Sequence, residues 1–263
     1  MVRLPLPALA ALALLGAAAP AAPAPGRPPT VARDPLGSPL WALHAARLFA
    51  GAPVVFDPAV RVALPVIAEN QHIFPVAVDA RALGGVRRIV ILADLNPIPV
   101  AVDFAPGGAA PWLALRIKLD QRTPVRAAVL AGDGRWHVSG AWVDAAGGGC
   151  SAPPVSRARG DWAEHLGELR GAAFATPEGT RLRFTVRHPM DTGLVENVPA
   201  YHVETVTVAM AGHDPARLTV WGAVAEDPAF TLLFPGRPGA ATLHLRDSNG
   251  REFSGRVPGP DRP

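Results

Sequence analysis

Proline and glycine constrain this chain more than anything else in it. Thirty prolines and twenty-six glycines fall between short apolar runs along nearly the whole length of 263 residues. Proline fixes φ and removes an N–H, and glycine adds entropic cost to any helix interior. Interrupted this often, the chain is left with short strands joined by turns. It is 49% apolar and 18% charged, which is enough apolar surface for a core and too little charge for a disordered polymer. No internal segment is long and apolar enough to span a membrane.

Strand-like runs cover 61–64, 74–79, 88–93, 100–104, 112–119, 125–131 and 135–143, separated by Asn, Asp, Pro and Gly clusters that include the turn Gly132-Asp133-Gly134. In the last run, Trp136 and Val138 fall on one face and His137 and Ser139 on the other. Before them, Ser38 and Pro39 read as a helix start, with Trp41, Ala45, Leu48 and Phe49 at helical spacing up to Gly51. Residues 151–171 are polar, small and Pro-containing, and read as a linker. Strand-like runs resume at 181–187, 201–210, 217–221, 230–234, 241–246 and 251–257. The expectation is an all-β chain: one β-sandwich over 38–150, a second over 172–258, and a short N-terminal helix.

Arg3, the apolar stretch Ala8 to Gly16 and the small residues from Ala17 to Ala24 have the layout of a Sec-type signal peptide spanning 1–21. The apolar stretch is too short for a membrane anchor, so no span is expected after cleavage, and the mature chain is expected in the periplasm.

The net charge is +3, yet Lys118 is the only lysine and the arginines are scattered, which gives no basic stripe for nucleic acid. The eight histidines lack metal-ligand spacing, and no Gly-x-Ser-x-Gly elbow or phosphate-cradling loop is present. Glu69 and Asp94 lie in turn-like stretches, where carboxylates bond to the backbone, and are given no acid/base role. Neither a metal nor a cofactor is expected.

In an oxidising compartment one cysteine cannot form an internal disulfide, so Cys150 stands alone. A buried structural thiol is the ordinary account of such a residue. Here Gly147, Gly148 and Gly149 precede it, Ser151-Ala152-Pro153-Pro154 follow, and no apolar period carries it into a core. That context predicts an exposed thiol on a flexible loop, rapid labelling, and a disulfide-linked homodimer through Cys150 on oxidation.

The runs Pro65-Val66-Ile67-Ala68-Glu69-Asn70 with Phe74-Pro75-Val76, Ile91 through Pro99, and Gly147-Gly148-Gly149-Cys150 resemble the SoxY family of sulfur-carrier subunits. Arg187-His188-Pro189-Met190-Asp191-Thr192-Gly193-Leu194 resembles the signature of the SoxZ family. Together they resemble fused SoxYZ-like carriers associated with quinoprotein dehydrogenases. The resemblance implies two immunoglobulin-like sandwiches that pair with each other and have no catalytic activity. It also implies a covalent attachment at Cys150 on an arm of Gly147, Gly148 and Gly149, and periplasmic redox enzymes, Sox-type or quinoprotein, as partners. Ser151 and Ala152 stand where the family has further glycines, and the chain continues past them. A noncovalent adaptor with an incidental thiol is the rival reading. A thiol peroxidase would need a base and a resolving thiol that are not apparent.

Overall fold

The computed structural model describes residues 33–155 and 160–260, so the signal expected over 1–21 lies outside the described residues. Within them, helix α1 (Trp41–Leu48) opens a chain of short strands. The first half contains β1 (Val54–Phe56), β2 (Arg61–Ala63), β3 (Ile67–Ala68), β4 (Phe74–Asp79), β5 (Arg88–Ala93), β6 (Val100–Ala105), β7 (Trp112–Ile117), β8 (Thr123–Leu130) and β9 (Trp136–Ala145). The second contains β10 (Leu169–Thr176), β11 (Gly179–Val186), β12 (Val203–Met210), β13 (Ala216–Val220), β14 (Ala229–Phe234), β15 (Ala241–Asp247) and β16 (Glu252–Val257).

Side-chain period explains which strands lie where. β15 alternates buried and exposed along its length, as a strand with one wet face must. β5 is apolar on both faces for a different reason. Ile89, Ile91 and Ala93 face the main core, while Val90 and Leu92 pack beneath α1 with Trp41, Ala45, Phe49 and Trp136. The helix starts at Trp41 rather than at the expected Ser38–Pro39, and no side chain caps it. Asp34 holds the preceding turn instead, accepting from Leu36 N and Ser38 N.

The two halves are joined through their sheets as well as through the segment between them. β6 pairs antiparallel with β13, from Ala105 opposite Arg217 to Val102 opposite Val220. On the other layer β7 pairs with β14, with Leu113 opposite Leu232. One sheet therefore runs β1-β9-β8-β5-β6-β13-β12-β15-β16, the other β10-β11-β14-β7-β4-β2, and both cross the boundary. One core fills the space between them, with Phe104, Leu113 and Ile117 from the first half among Leu218, Val224 and Leu232 from the second. Each such side chain contributes roughly 1.5–3 kcal/mol by leaving water. The seam is tight enough to require glycine: a Cβ on Gly107 would sit 2.4 Å from Pro215 O.

β10 begins at Leu169, inside the stretch read as linker, and pairs with β11 from Leu169 opposite Val186 to Thr176 opposite Gly179. It is an edge strand with mostly exposed residues, so it carries no alternation for a sequence reading to find.

Candidate functional site

Cys150 lies just past the end of β9, in a turn closed by Ala152 N donating to Gly148 O. Three neighbouring residues of the first half fasten that turn. Gly149 N donates to Leu119 O at 3.1 Å. Asp120 Oδ1 accepts from Cys150 N (2.9 Å), Ser151 N (3.0 Å) and Ser151 Oγ (3.0 Å). Asn96 holds Asp120 N through its Oδ1 and turns its Nδ2 toward Lys118 O at 2.7 Å and Cys150 Sγ at 3.8 Å. The glycines fit this packing in two ways: Gly147 and Gly148 take positive φ, and a Cβ on Gly149 would meet Leu119 O at 2.4 Å and Gln71 O at 2.5 Å.

The second half closes the site. Thr192 Oγ1 donates to Cys150 O at 2.6 Å. Lys118 Nζ reaches across to Met190 O and Gly222 O. Met190, at a positive φ of 52°, is fully buried and is fixed at Sδ by Val203 N and at its own N–H by His188 Nδ1. The segment 188–194 thus packs against the first half at the cysteine.

The exposed thiol expected from sequence is therefore a buried one. Cys150 is 1% exposed. Burial pushes its thiol up to about 12, against the pull of Lys118 and with a further push from Asp120. Such a sulfur is protonated at neutral pH and a poor nucleophile while the turn is docked. The glycine run suggested flexibility, but here those glycines permit close approach to backbone. Rapid labelling and ready dimerisation through Cys150 lose their premise in this docked state.

Cys150 was legible as the residue to explain, but its setting was not. Lys118, Asn96, Asp120 and Thr192 escaped the sequence reading, because contacts between positions dozens of residues apart leave no local pattern. The alternation of 112–119 buries the odd positions and so gave no signal either, because Lys118 falls on the opposite parity and is buried all the same. Asp94 has a structural role, bonding to buried Arg126. Among the described residues no group of three or more His, Cys, Asp or Glu could hold a metal.

Residues 45–150 match the family described as Sulfur oxidation protein SoxY, and residues 172–258 match Sulphur oxidation protein SoxZ. The chain joins a SoxY domain to a SoxZ domain. Both are immunoglobulin-like folds, and their seam is the pair of strand contacts β6–β13 and β7–β14. Cys150 is the last residue of the SoxY match, and Met190, Thr192 and Gly222 of the SoxZ domain complete its surroundings. Similar solved structures include the sulfur carrier protein SoxY from Chlorobium limicola f thiosulfatophilum, at 26% identity over 39% of this chain and 87% of that one, with a TM-score of 0.35. A beta-glycosidase from Bacteroides vulgatus is 9% identical over 79% of this chain and 25% of that one, with a TM-score of 0.24. No curated protein matches the chain.

Proposed function

We propose that this SoxY–SoxZ chain is a carrier in sulfur oxidation that holds a sulfur-containing intermediate covalently on Cys150 and presents it to partner enzymes. The observation that carries the reading is the place of its single cysteine, at the final position of the SoxY match, in a glycine turn held by hydrogen bonds rather than by a core strand. The chain supplies the attachment atom and has no catalytic activity of its own. The partner supplies the oxidant for loading, because joining a thiol to another sulfur removes two electrons. Periplasmic residence follows from the signal layout, and the fused order favours a quinoprotein dehydrogenase system as host.

In this reading the turn must open. Five hydrogen bonds fasten it outward, from Gly149 N, Cys150 N, Ser151 N, Ser151 Oγ and Thr192 Oγ1. At about 1 kcal/mol net for each, opening costs on the order of 5 kcal/mol, and roughly one molecule in several thousand is open at equilibrium. A partner that binds the open turn draws on that population.

The burial of Cys150 favours one rival, the noncovalent adaptor in which the thiol is only packing. Cys150→Ser separates the two with little change of shape. Complementation of the host pathway should be lost for a carrier, whereas an adaptor would keep it.

A further inference from the structure

Lys118 is the only lysine in the chain, and it is 4% exposed. Its ammonium donates to Met190 O and, at 3.0 Å, to Gly222 O. Both acceptors are neutral, so these bonds satisfy two protons without pairing the charge directly, and the carboxylates of Asp191 and Glu226 act on it only through space. No carboxylate closes a salt bridge on Nζ among the described residues.

Two bridges bring Lys118 and Cys150 into one buried seam, one from the Lys118 backbone carbonyl to the sulfur and one from the ammonium to the Cys150 backbone carbonyl. Asn96 Nδ2 spans Lys118 O and Cys150 Sγ. The short segment 190–192 accepts from Lys118 at Met190 O and donates to Cys150 O through Thr192. We propose that Lys118 is a positioning residue for carrier chemistry, whose ammonium, held at the seam by two SoxZ-domain carbonyls, is the resident counter-charge for an anionic sulfur on Cys150. The proposal rests on Cys150 being the carrier residue.

The other charged groups nearby agree with this assignment. Burial depresses Lys118 to about 8, and the foremost charge working against that is Cys150, ahead of Asp191 and Glu226. Lys118 is in turn the group that pulls the thiol down, while Asp120, which holds the Cys150 N–H, opposes an anion there. His188 and His202 also feel Lys118, and burial depresses both, so they stay neutral at pH 7 and bring no competing cation. A neutral thiol leaves the cation only the weaker pull of Asp191 and Glu226. The seam therefore holds a thiolate, or the ionised outer sulfur of a loaded chain, more tightly than an uncharged group of the same size.

A single lysine makes the test direct, because full-length protein labelled with ¹³C-lysine gives one side-chain NMR signal whose pH titration reports Lys118. Cys150→Asp and Cys150→Asn place near-isosteric anionic and neutral groups beside the ammonium. Lys118 should titrate about one unit or more higher in the Asp variant. If those variants fold poorly, wild-type protein alkylated on Cys150 with iodoacetate or with iodoacetamide gives the same contrast, S-carboxymethyl against S-carbamoylmethyl. A lysine that titrates alike in both members of a pair overturns the proposal, since its charge then does not answer to the sulfur position. The readout needs no cargo. Retained function in Cys150→Ser would remove the carrier reading, whereas an unmoved lysine would remove only the counter-charge.

Discussion

Single residues decide whether the Cys150 turn is open or shut. Gly149 is the sharpest case, because a methyl group there must intrude on two backbone carbonyls, which cannot yield as a side chain can. Gly149→Ala should therefore displace the turn and raise the rate of Cys150 alkylation in native protein at least tenfold, with the unfolding midpoint little changed. An alkylation rate equal to wild type would mean that Gly149 does not control docking. His188 sets a second residue-level effect. Burial depresses it to about 4, against an ordinary 6.5, while Asp247 pulls the other way. Above pH 6.5 neither folded nor unfolded His188 holds the proton. As pH falls from 6.5 toward 4 the unfolded chain takes it up first, and stability drops by about 3 kcal/mol across that window. Depressed His202 acts in the same direction. Denaturant unfolding at pH 7.5 and 5 should show about 2 kcal/mol of this loss, and His188→Asn should reduce it; an unchanged loss would assign it to other groups. From the sequence, Cys150 could be singled out but not buried, because its cover comes from residues 96, 118, 120 and 192, none of them its neighbours in sequence.

The N-terminal helix is held by its apolar face and by one buried charged side chain. Arg126 is 0% exposed and forks between Asp94, at 3.0 Å from Nε, and Asp34, at 2.7 Å from Nη2, while its guanidinium lies 4.5 Å from the Trp41 ring centroid. His44 adds a bond from α1 to Asp94 O, and Trp142 Nε1 donates to Leu36 O. The patch beneath α1 is thus ordered partly by charge reaching in from β8. Arg126→Met strands Asp94 in the interior and should cost roughly 3–5 kcal/mol. Asp34→Ala removes the outer arm together with the two backbone hydrogen bonds of the preceding turn, leaves Asp94 paired, and should chiefly speed proteolysis ahead of Trp41. Equal proteolysis of Asp34→Ala and wild type would show that the helix needs no such strap. Helical spacing made α1 legible, but its start was misplaced because Ser38 looked like a cap, whereas Asp34 supplies the turn's hydrogen bonds. Exposed β10 was missed because alternation is a signature of half-buried strands.

At the scale of the whole molecule, the two domains share both sheets and one core, so their association does not depend on the peptide between them. Turn punctuation made all strands but β1, β3 and β10 legible, and the family motifs gave the order of the halves. The β6–β13 and β7–β14 pairings were not legible, because edge pairing between distant strands has no local signature. A protease site engineered between Ser156 and Arg159 should leave the two pieces eluting together on size-exclusion chromatography at micromolar concentration, with Cys150 no faster to alkylate. Separate elution would make the linker, rather than the seam, the source of cohesion. The shared seam also suits the carrier reading, because a sulfur covered by both domains can be shielded between encounters with partners. That reading is tested most directly by peptide mass spectrometry of the protein taken from its native host while sulfur oxidation is running, before and after reductant. A sulfur-containing adduct on the Cys150 peptide that reductant removes is the expected result, and a uniformly free thiol at Cys150 under those conditions would contradict the carrier account.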